Sequence, residues 1–279
     1  MPIYIQKKVH LHINKTKRKT NRKNTIQKDN TNKGKEHQTL TKDMKAMKKM
    51  YLTGTVLFLM AGTPAISTAQ NKVEADIGAD LVSGYIWRGQ DLGNVSVQPS
   101  VSLSYKGFSL SGWGSVGFDK EDTKEFDLIL GYSTGGFSVS VTDYWFDGGP
   151  GYFHYDAHHT SHVFEAQIGY DFGPLAVNWY TNFAGADGVK SNGDRAYSSY
   201  FSIAAPFTLG GMDWSAEIGA TPWETSFYNN GASGFEVSHI GLGVSKDIRI
   251  TTSYSLPVFA QAIWNPSTEG AYFVFGISF

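Results

Sequence analysis

The sequence predicts an all-β protein: a closed antiparallel transmembrane β-barrel of about twelve strands, within a range of roughly ten to fourteen. Three observations lead there. From Gln70 to Phe279 the apolar residues recur at every second position, the period of a strand with two unlike faces, and no convincing 3.6-residue stripe interrupts them. Tight connections alternate with long ones, as when turns occupy one rim of a barrel and loops the other. The polar face is mostly Ser, Gly, Thr and Asn, opposite a face rich in aromatics, whereas a soluble sandwich would expose charge.

The chain opens on a different kind of segment. Residues 1–69 hold 15 Lys and Arg against 3 Asp and Glu, while residues 70–279 hold 9 against 22. Residues 1–43 are Lys, Asn, Thr and Gln with almost no apolar clustering, too little to offset the entropy of ordering. They are read as a non-structural basic extension, produced by a start codon placed too far upstream. A nucleic-acid-binding arm is the competing reading. Against it stands a second start-like cluster, Met44, Met47 and Met50 among Lys45, Lys48 and Lys49, which has the form of a signal-peptide n-region. The apolar run from Thr55 to Ile66 is shorter than the roughly 20 residues of a spanning helix, and Ser67, Thr68 and Ala69 supply small residues for cleavage. Residues 44–69 are therefore expected to be a signal peptide and residues 70–279 the outer-membrane barrel. The chain has no cysteine, which removes disulfides, thiolate metal sites, a Cys nucleophile and a lipoprotein anchor.

The alternation places strands near 73–88, 94–106, 108–118, 125–133, 137–147, 162–172, 175–185, 196–207, 212–222, 236–246, 248–264 and 270–279. The segment from Val95 to Tyr105 is the clearest, with Val95, Val97, Val101, Leu103 and Tyr105 on one face and Ser96, Gln98, Ser100, Ser102 and Ser104 on the other. Tight turns fall at Lys106-Gly107, 133–136, 172–174, 208–211 and 245–247, and long loops at 147–161, 185–195 and 223–235. Outward positions should lack charge, because Lys or Arg near mid-membrane costs about 2–4 kcal/mol. Strand one offers Val73, Ala75, Ile77, Ala79, Leu81, Tyr85 and Trp87, none of them charged; Asp143, Glu236 and Lys246 are exceptions near strand ends. Tyr85, Trp87, Tyr105, Tyr132, Trp145, Tyr170 and Phe172 fit interfacial girdles. Pro99 and Pro257 cannot donate to a ladder, so bulges are expected there.

The chain's end, GAYFVFGISF, is similar to the C-terminal recognition signal of bacterial outer-membrane proteins, with Phe273, Phe275, Ile277 and Phe279 spaced by two. Together with SGYIWRGQDLGNVSVQPSVSLSYKGFSLSGWGS from residue 83 and SLPVFAQAIWNP from residue 255, it resembles the TorF-type porin family over most of residues 73–279. The resemblance implies an outer-membrane porin, engaged through its last strand by the barrel assembly machinery, and no catalytic residue.

If the apolar face meets lipid, the other lines a lumen, and this face carries Glu74, Asp76, Asp80, Asp127, Glu165, Asp213 and Glu217 against Arg88, Lys106 and Arg249. Carboxylates around a pore favour cations, with Arg88 and Arg249 available for a transverse field; equally, the charges could pair and plug a narrow barrel. Trp113, Tyr144, Tyr180, Tyr200 and Phe259 also point inward. The expected function is passive diffusion of small, preferentially cationic solutes, with outer-membrane lipid as surroundings and no cofactor. Two other readings compete with it. His154, His158, His159 and His162 near Asp156 are weak candidates for metal ligands, although the segment lacks i,i+4 helical spacing and a solvated loop is the simpler account. Ser161, His162 and Glu165, with His159, hold the residue types of a lipid esterase, but neighbours on one strand face opposite sides; a sealed structural barrel is the remaining class. There is no phosphate loop, HExxH site or basic patch after Gln70, so nucleic acid is not an expected partner of the barrel.

If the targeting reading is right, N-terminal sequencing of the protein recovered from outer membranes will read from about Gln70, and an intact 279-residue chain there would overturn it.

Overall fold

The computed structural model describes residues 72–228 and 234–279, so the expectations for residues 1–43 and 44–69 lie outside the described residues. Among the described residues fourteen strands form: β1 Glu74–Val82, β2 Tyr85–Trp87, β3 Gln90–Gly93, β4 Ser96–Tyr105, β5 Phe108–Gly117, β6 Glu125–Thr134, β7 Phe137–Phe146, β8 His162–Asp171, β9 Ala176–Gly185, β10 Ser199–Leu209, β11 Met212–Thr221, β12 Glu236–Arg249, β13 Ser255–Asn265 and β14 Gly270–Ser278. Twelve of them close into one antiparallel barrel in the order β1-β14-β13-β12-β11-β10-β9-β8-β7-β6-β5-β4, and β2 pairs only with β3. Each barrel strand thus neighbours the next in sequence except across the inserted hairpin and the seam. The seam pairs Asp80, Leu81 and Val82 with Ser278, Ile277 and Gly276, extended by reciprocal backbone bonds between Ala79 and Phe279.

Closure follows from the turns. Lys106-Gly107, Gly135-Gly136 and Gly210-Gly211 each join two strands directly and have positive φ at both residues, the pattern of a type I′ hairpin, whose twist matches that of the strands. These turns lie on one rim. The opposite rim carries the segments at 118–124, 147–161, 186–198, 222–228 and 266–269.

The distribution of exposure is that of a membrane barrel. Ile77, Val101, Leu103, Leu110, Leu130, Ile168, Phe207, Phe273 and Phe275 are all exposed on the outer face, an apolar surface far larger than a soluble monomer tolerates. Aromatics ring the turn rim, where Phe108 packs on Tyr132 and Tyr170 on Phe172 with ring centroids 4.7 and 4.6 Å apart. With strands of 9 to 14 residues, tilted as barrels require, the belt spans a bilayer. The fold is a closed antiparallel transmembrane β-barrel of twelve strands.

Inside, large rings lie against glycines. A Cβ on Gly219 would stand 1.8 Å from the Tyr200 hydroxyl, one on Gly276 2.4 Å from the Phe259 ring, and one on Gly241 2.4 Å from His239 Nε2. Glycine at these positions lets each ring lie flat on the neighbouring strand and fill a narrow interior.

Four expectations are corrected. The first strand ends at Val82 instead of running to residue 88, and Tyr85 and Trp87 face inward, 3% and 9% exposed. The positive-φ Arg88 and Gly89 let the chain fold back on itself there. Neither proline makes a bulge: the β4–β5 register is the same on both sides of Pro99, and Pro257 pairs in register with Asp247 at a level where no β14 partner is found. The bulges lie instead between Phe164 and Glu165, Gly219 and Ala220, and Tyr85 and Ile86. Finally, β12 runs through the polar 245–247 stretch to Arg249, because Val244, Lys246 and Ile248 stay outward while Ser245, Asp247 and Arg249 keep the inward parity; the turn is 250–254.

Gly219→Ala should force Tyr200 off its seat and destabilise the barrel by about 1–3 kcal/mol, measured as a lower urea midpoint for the protein folded in detergent micelles.

Candidate functional site

The segment between β1 and β4 does not form an external loop. It folds into the barrel as the β2–β3 hairpin, with Trp87 paired to Gln90 and Arg88-Gly89 at the tip. Both tip residues have positive φ, 52° for Arg88 and 84° for Gly89. This again is the I′ pattern, ordinary for Gly and uncommon for Arg. The tip is fitted closely to the wall: a Cβ on Gly89 would lie 1.8 Å from the Ser238 carbonyl oxygen, and Asn265 Nδ2 donates to the Gly89 carbonyl at 3.0 Å. The base is fastened at the other side of the barrel. Tyr85 donates its hydroxyl to Glu125 at 2.8 Å, and Asp122 accepts from the Asn94 backbone N–H at 3.0 Å and side chain at 3.1 Å. These donors, with the Asp119 N–H, hold the Asp122 carboxyl below its usual range.

Arg88 lies at the centre of what this arrangement builds, and it is 6% exposed. Its guanidinium makes a forked pair with Glu165, Nη1 to Oε2 at 2.5 Å and Nη2 to Oε1 at 2.9 Å, and Nη1 also donates to the Tyr228 hydroxyl. Glu165 additionally accepts from the Tyr144 hydroxyl at 2.9 Å. Four rings surround the cation, with Arg88 Cζ 4.4 Å from the Trp87 centroid, 4.1 Å from Tyr180, 4.8 Å from Tyr200 and 5.7 Å from Tyr228. All lie within the reach of a cation–π contact. Tyr85, Trp87, Trp113, Tyr144, Val163, Tyr180, Tyr200 and Tyr228 form one buried cluster, so at this level the interior is a packed core. Towards the turn rim the inward residues shrink to half-buried Ser102, Ser104 and Ser109.

The remaining candidates are distributed as follows. Asp80, Asp127, Glu165 and Glu217 occupy inward positions in the barrel wall, and Glu74 and Asp76 share the face of Asp80 nearer the turn rim. Arg88 is not on the wall; it reaches Glu165 from the hairpin tip. Arg249 lies at the turn end of β12, exposed, its Nε donating to the Thr251 carbonyl at 3.2 Å. It is therefore separated from Arg88 along the barrel and shares no transverse field with it. Phe273, Phe275, Ile277 and Phe279 alternate outward along the last strand and its end, with Phe273, Phe275 and Phe279 exposed. Trp113, Tyr144, Tyr180, Tyr200 and Phe259 are inward and buried as expected.

The esterase and metal constellations do not assemble. His162 is fully buried on the outer side under the 147–161 segment, its Nδ1 2.7 Å from Asp143 and its Nε2 2.5 Å from the Tyr152 carbonyl. Nε2 must donate to that carbonyl, so it has no lone pair for Ser161, and Glu165 faces the opposite side of the strand. His154, His158 and His159 stay exposed, with Asp156 accepting the backbone N–H groups of His158 and His159 at 3.0 Å each. Among the described residues no three His, Cys, Asp or Glu side chains are placed to hold a metal ion. Sequence reasoning missed Glu125, Tyr228 and the Asp143–His162 pair; Glu125 shares the inward parity of Asp127, the signal that could have found it.

No family model matches the chain, and no curated protein matches it. Among solved structures it is similar to KdgM porin at 9% identity, covering 75% of this chain and 98% of that one with a TM-score of 0.40. It is also similar to a porin refined at 1.8 Å resolution, at 17% identity over 76% of this chain and 78% of that one, with a TM-score of 0.35. A third is Wzi, a carbohydrate-binding outer-membrane β-barrel involved in group 1 capsule assembly in Escherichia coli, at 14% identity over 66% of this chain and 51% of that one, with a TM-score of 0.29. At such identities and TM-scores no property of these proteins carries over.

Glu165→Gln leaves the Arg88 guanidinium buried without its counter-charge and should cost about 3–5 kcal/mol. Arg88→Met combined with Glu165→Gln should recover most of that in the same urea titration, since neither charge is then left alone.

Proposed function

We propose that this protein is an outer-membrane channel for small solutes, held closed at rest by the β2–β3 hairpin and preferring cations when open. The observation that carries the reading is the Arg88–Glu165 contact: the closing group sits on the tip of a hairpin inserted into the barrel, and its partner belongs to the barrel wall. An apolar outer belt needs lipid around it. The export signal read at residues 44–69 supports the outer membrane as that lipid, with the outward residues of the last strand, ending at Phe279, as the surface offered to the assembly machinery. Asp80, Asp127 and Glu217 place carboxyl groups on the inner wall, and carboxylates lining an open, water-filled lumen concentrate cations. With Arg88 withdrawn, Glu165 would add to that charge. The sealed structural barrel is the second reading, favoured by the buried aromatic cluster around Arg88.

Planar-bilayer conductance under a salt gradient decides between them. The wild-type protein should be mostly closed. Gly89→Ala, whose new Cβ meets the Ser238 carbonyl, should raise the open fraction, and replacing residues 85–93 by a short Gly-Ser link should leave the channel open. The reversal potential should lie toward the cation and move back when Asp80, Asp127 and Glu217 are neutralised. A link variant that folds and stays silent at all voltages would establish the sealed barrel.

A further inference from the structure

The groups around the Arg88 guanidinium divide into two sets. Tyr144, Glu165, Tyr180 and Tyr200 come from four consecutive strands of the wall, β7 to β10, and Tyr228 from the segment after β11. Only Trp87 travels with the arginine. If the hairpin leaves, the wall keeps a carboxylate presenting two oxygens, a tyrosine hydroxyl already donating to it, and aromatic faces 4.1 and 4.8 Å from where the cation's carbon lies, with Tyr228 of the segment after β11 at 5.7 Å. A site with that composition is specific in kind: flat aromatic faces attract a weakly hydrated cation, and two carboxylate oxygens match a planar fork.

The occupant is held under tension. Arg88 adopts a left-handed conformation at φ 52°, which costs a side-chain-bearing residue energy that Gly would not pay. Its Nε is buried with no hydrogen-bond partner among the described residues, so within them the guanidinium makes only part of the bonds its five N–H groups allow. A free solute is bound by neither constraint.

We propose that the wall pocket of Glu165, Tyr144, Tyr180, Tyr200 and Tyr228 is a binding site for organic cations of the guanidinium class, with Arg88 as its built-in occupant. A solute bearing a guanidinium competes with Arg88 for Glu165, and its binding releases the hairpin. The proposal deepens the channel reading above and rests on it only for the solute's route; the site itself is independent of conduction. Because Arg88 is tethered next to its pocket, its effective concentration is high, of millimolar order. Free solute therefore has to compete at comparable concentrations in the wild-type protein, and far less is needed once Arg88 is removed.

Arg88→Asn tests this with little risk to the hairpin, since Asn-Gly is the favoured pair for a I′ turn. The probe is methylguanidinium, compared with methylammonium and sodium at equal ionic strength. In detergent micelles about 10 mM methylguanidinium should raise the thermal midpoint of Arg88→Asn, as a ligand of the folded state must. The other two salts should not, and Glu165→Gln added to Arg88→Asn should abolish the shift. In bilayers methylguanidinium should block the Arg88→Asn current at about a ten-fold lower concentration than methylammonium, the fork being favoured over a point charge. An unchanged midpoint together with unselective block would overturn the site while leaving the channel intact. A midpoint shift in a variant that never conducts would keep the site and remove the channel. Should Arg88→Asn fail to fold, the wild-type protein reads the same competition without current: amide hydrogen exchange of residues 85–93 should quicken with methylguanidinium and not with methylammonium, and no change would overturn the proposal.

Discussion

A chain that crosses hydrocarbon cannot leave a backbone N–H or C=O unpaired, because no water is there to accept or donate. Most of this structure follows from that one constraint. Twelve strands must close on themselves, which the β1–β14 seam achieves through Asp80 to Val82 and the Ala79–Phe279 bonds. Adjacent strands must be joined with little excess chain, and the positive-φ pairs Lys106-Gly107, Gly135-Gly136 and Gly210-Gly211 do so on one rim. Once the ladder is closed, every residue is committed by parity to lipid or to the interior.

A barrel of this size has little interior to spare. Inward Ser and Gly leave room towards the turn rim, while Trp113, Tyr144, Tyr180, Tyr200 and Phe259 occupy the rest. The rings fit because Gly219 and Gly276 offer bare backbone to lie on. Into that aromatic layer the β2–β3 hairpin carries a charge, and the charge is tolerated because Glu165 meets it with two oxygens and four rings surround it. A buried pair of this kind adds little net stability, since desolvation nearly offsets the attraction. What it contributes is position: the hairpin tip has one place where the guanidinium is satisfied, and the bulge between Phe164 and Glu165 adjusts the wall at that point.

Much of the fold was legible in the sequence. Alternation located all twelve barrel strands, with the largest errors at the end of the first strand and at the β12–β13 boundary. Both errors have one cause. A period-2 pattern reports that a segment is extended and two-faced, but it does not say which partner it pairs with, so Tyr85 and Trp87 continued the pattern of β1 although they belong to a separate hairpin. In the same way the polar residues 245–247 looked like a turn while remaining in the ladder. The lumen was legible as a face, and Asp80, Asp127, Glu165 and Glu217 lie on it. Tyr228 carried no periodic signal at all, being in an irregular segment.

By itself, then, the sequence determined the barrel, its strand number, the chemistry of its two faces and the rim that carries the turns, because each is a local consequence of residue type and spacing. Tertiary structure alone decided that residues 85–93 turn inward, that Arg88 meets Glu165 across 77 positions of sequence, and that His162 spends both ring nitrogens on Asp143 and Tyr152. Those pairings depend on which strands lie side by side after closure and on the space left inside, and neither quantity is encoded in any single stretch of chain.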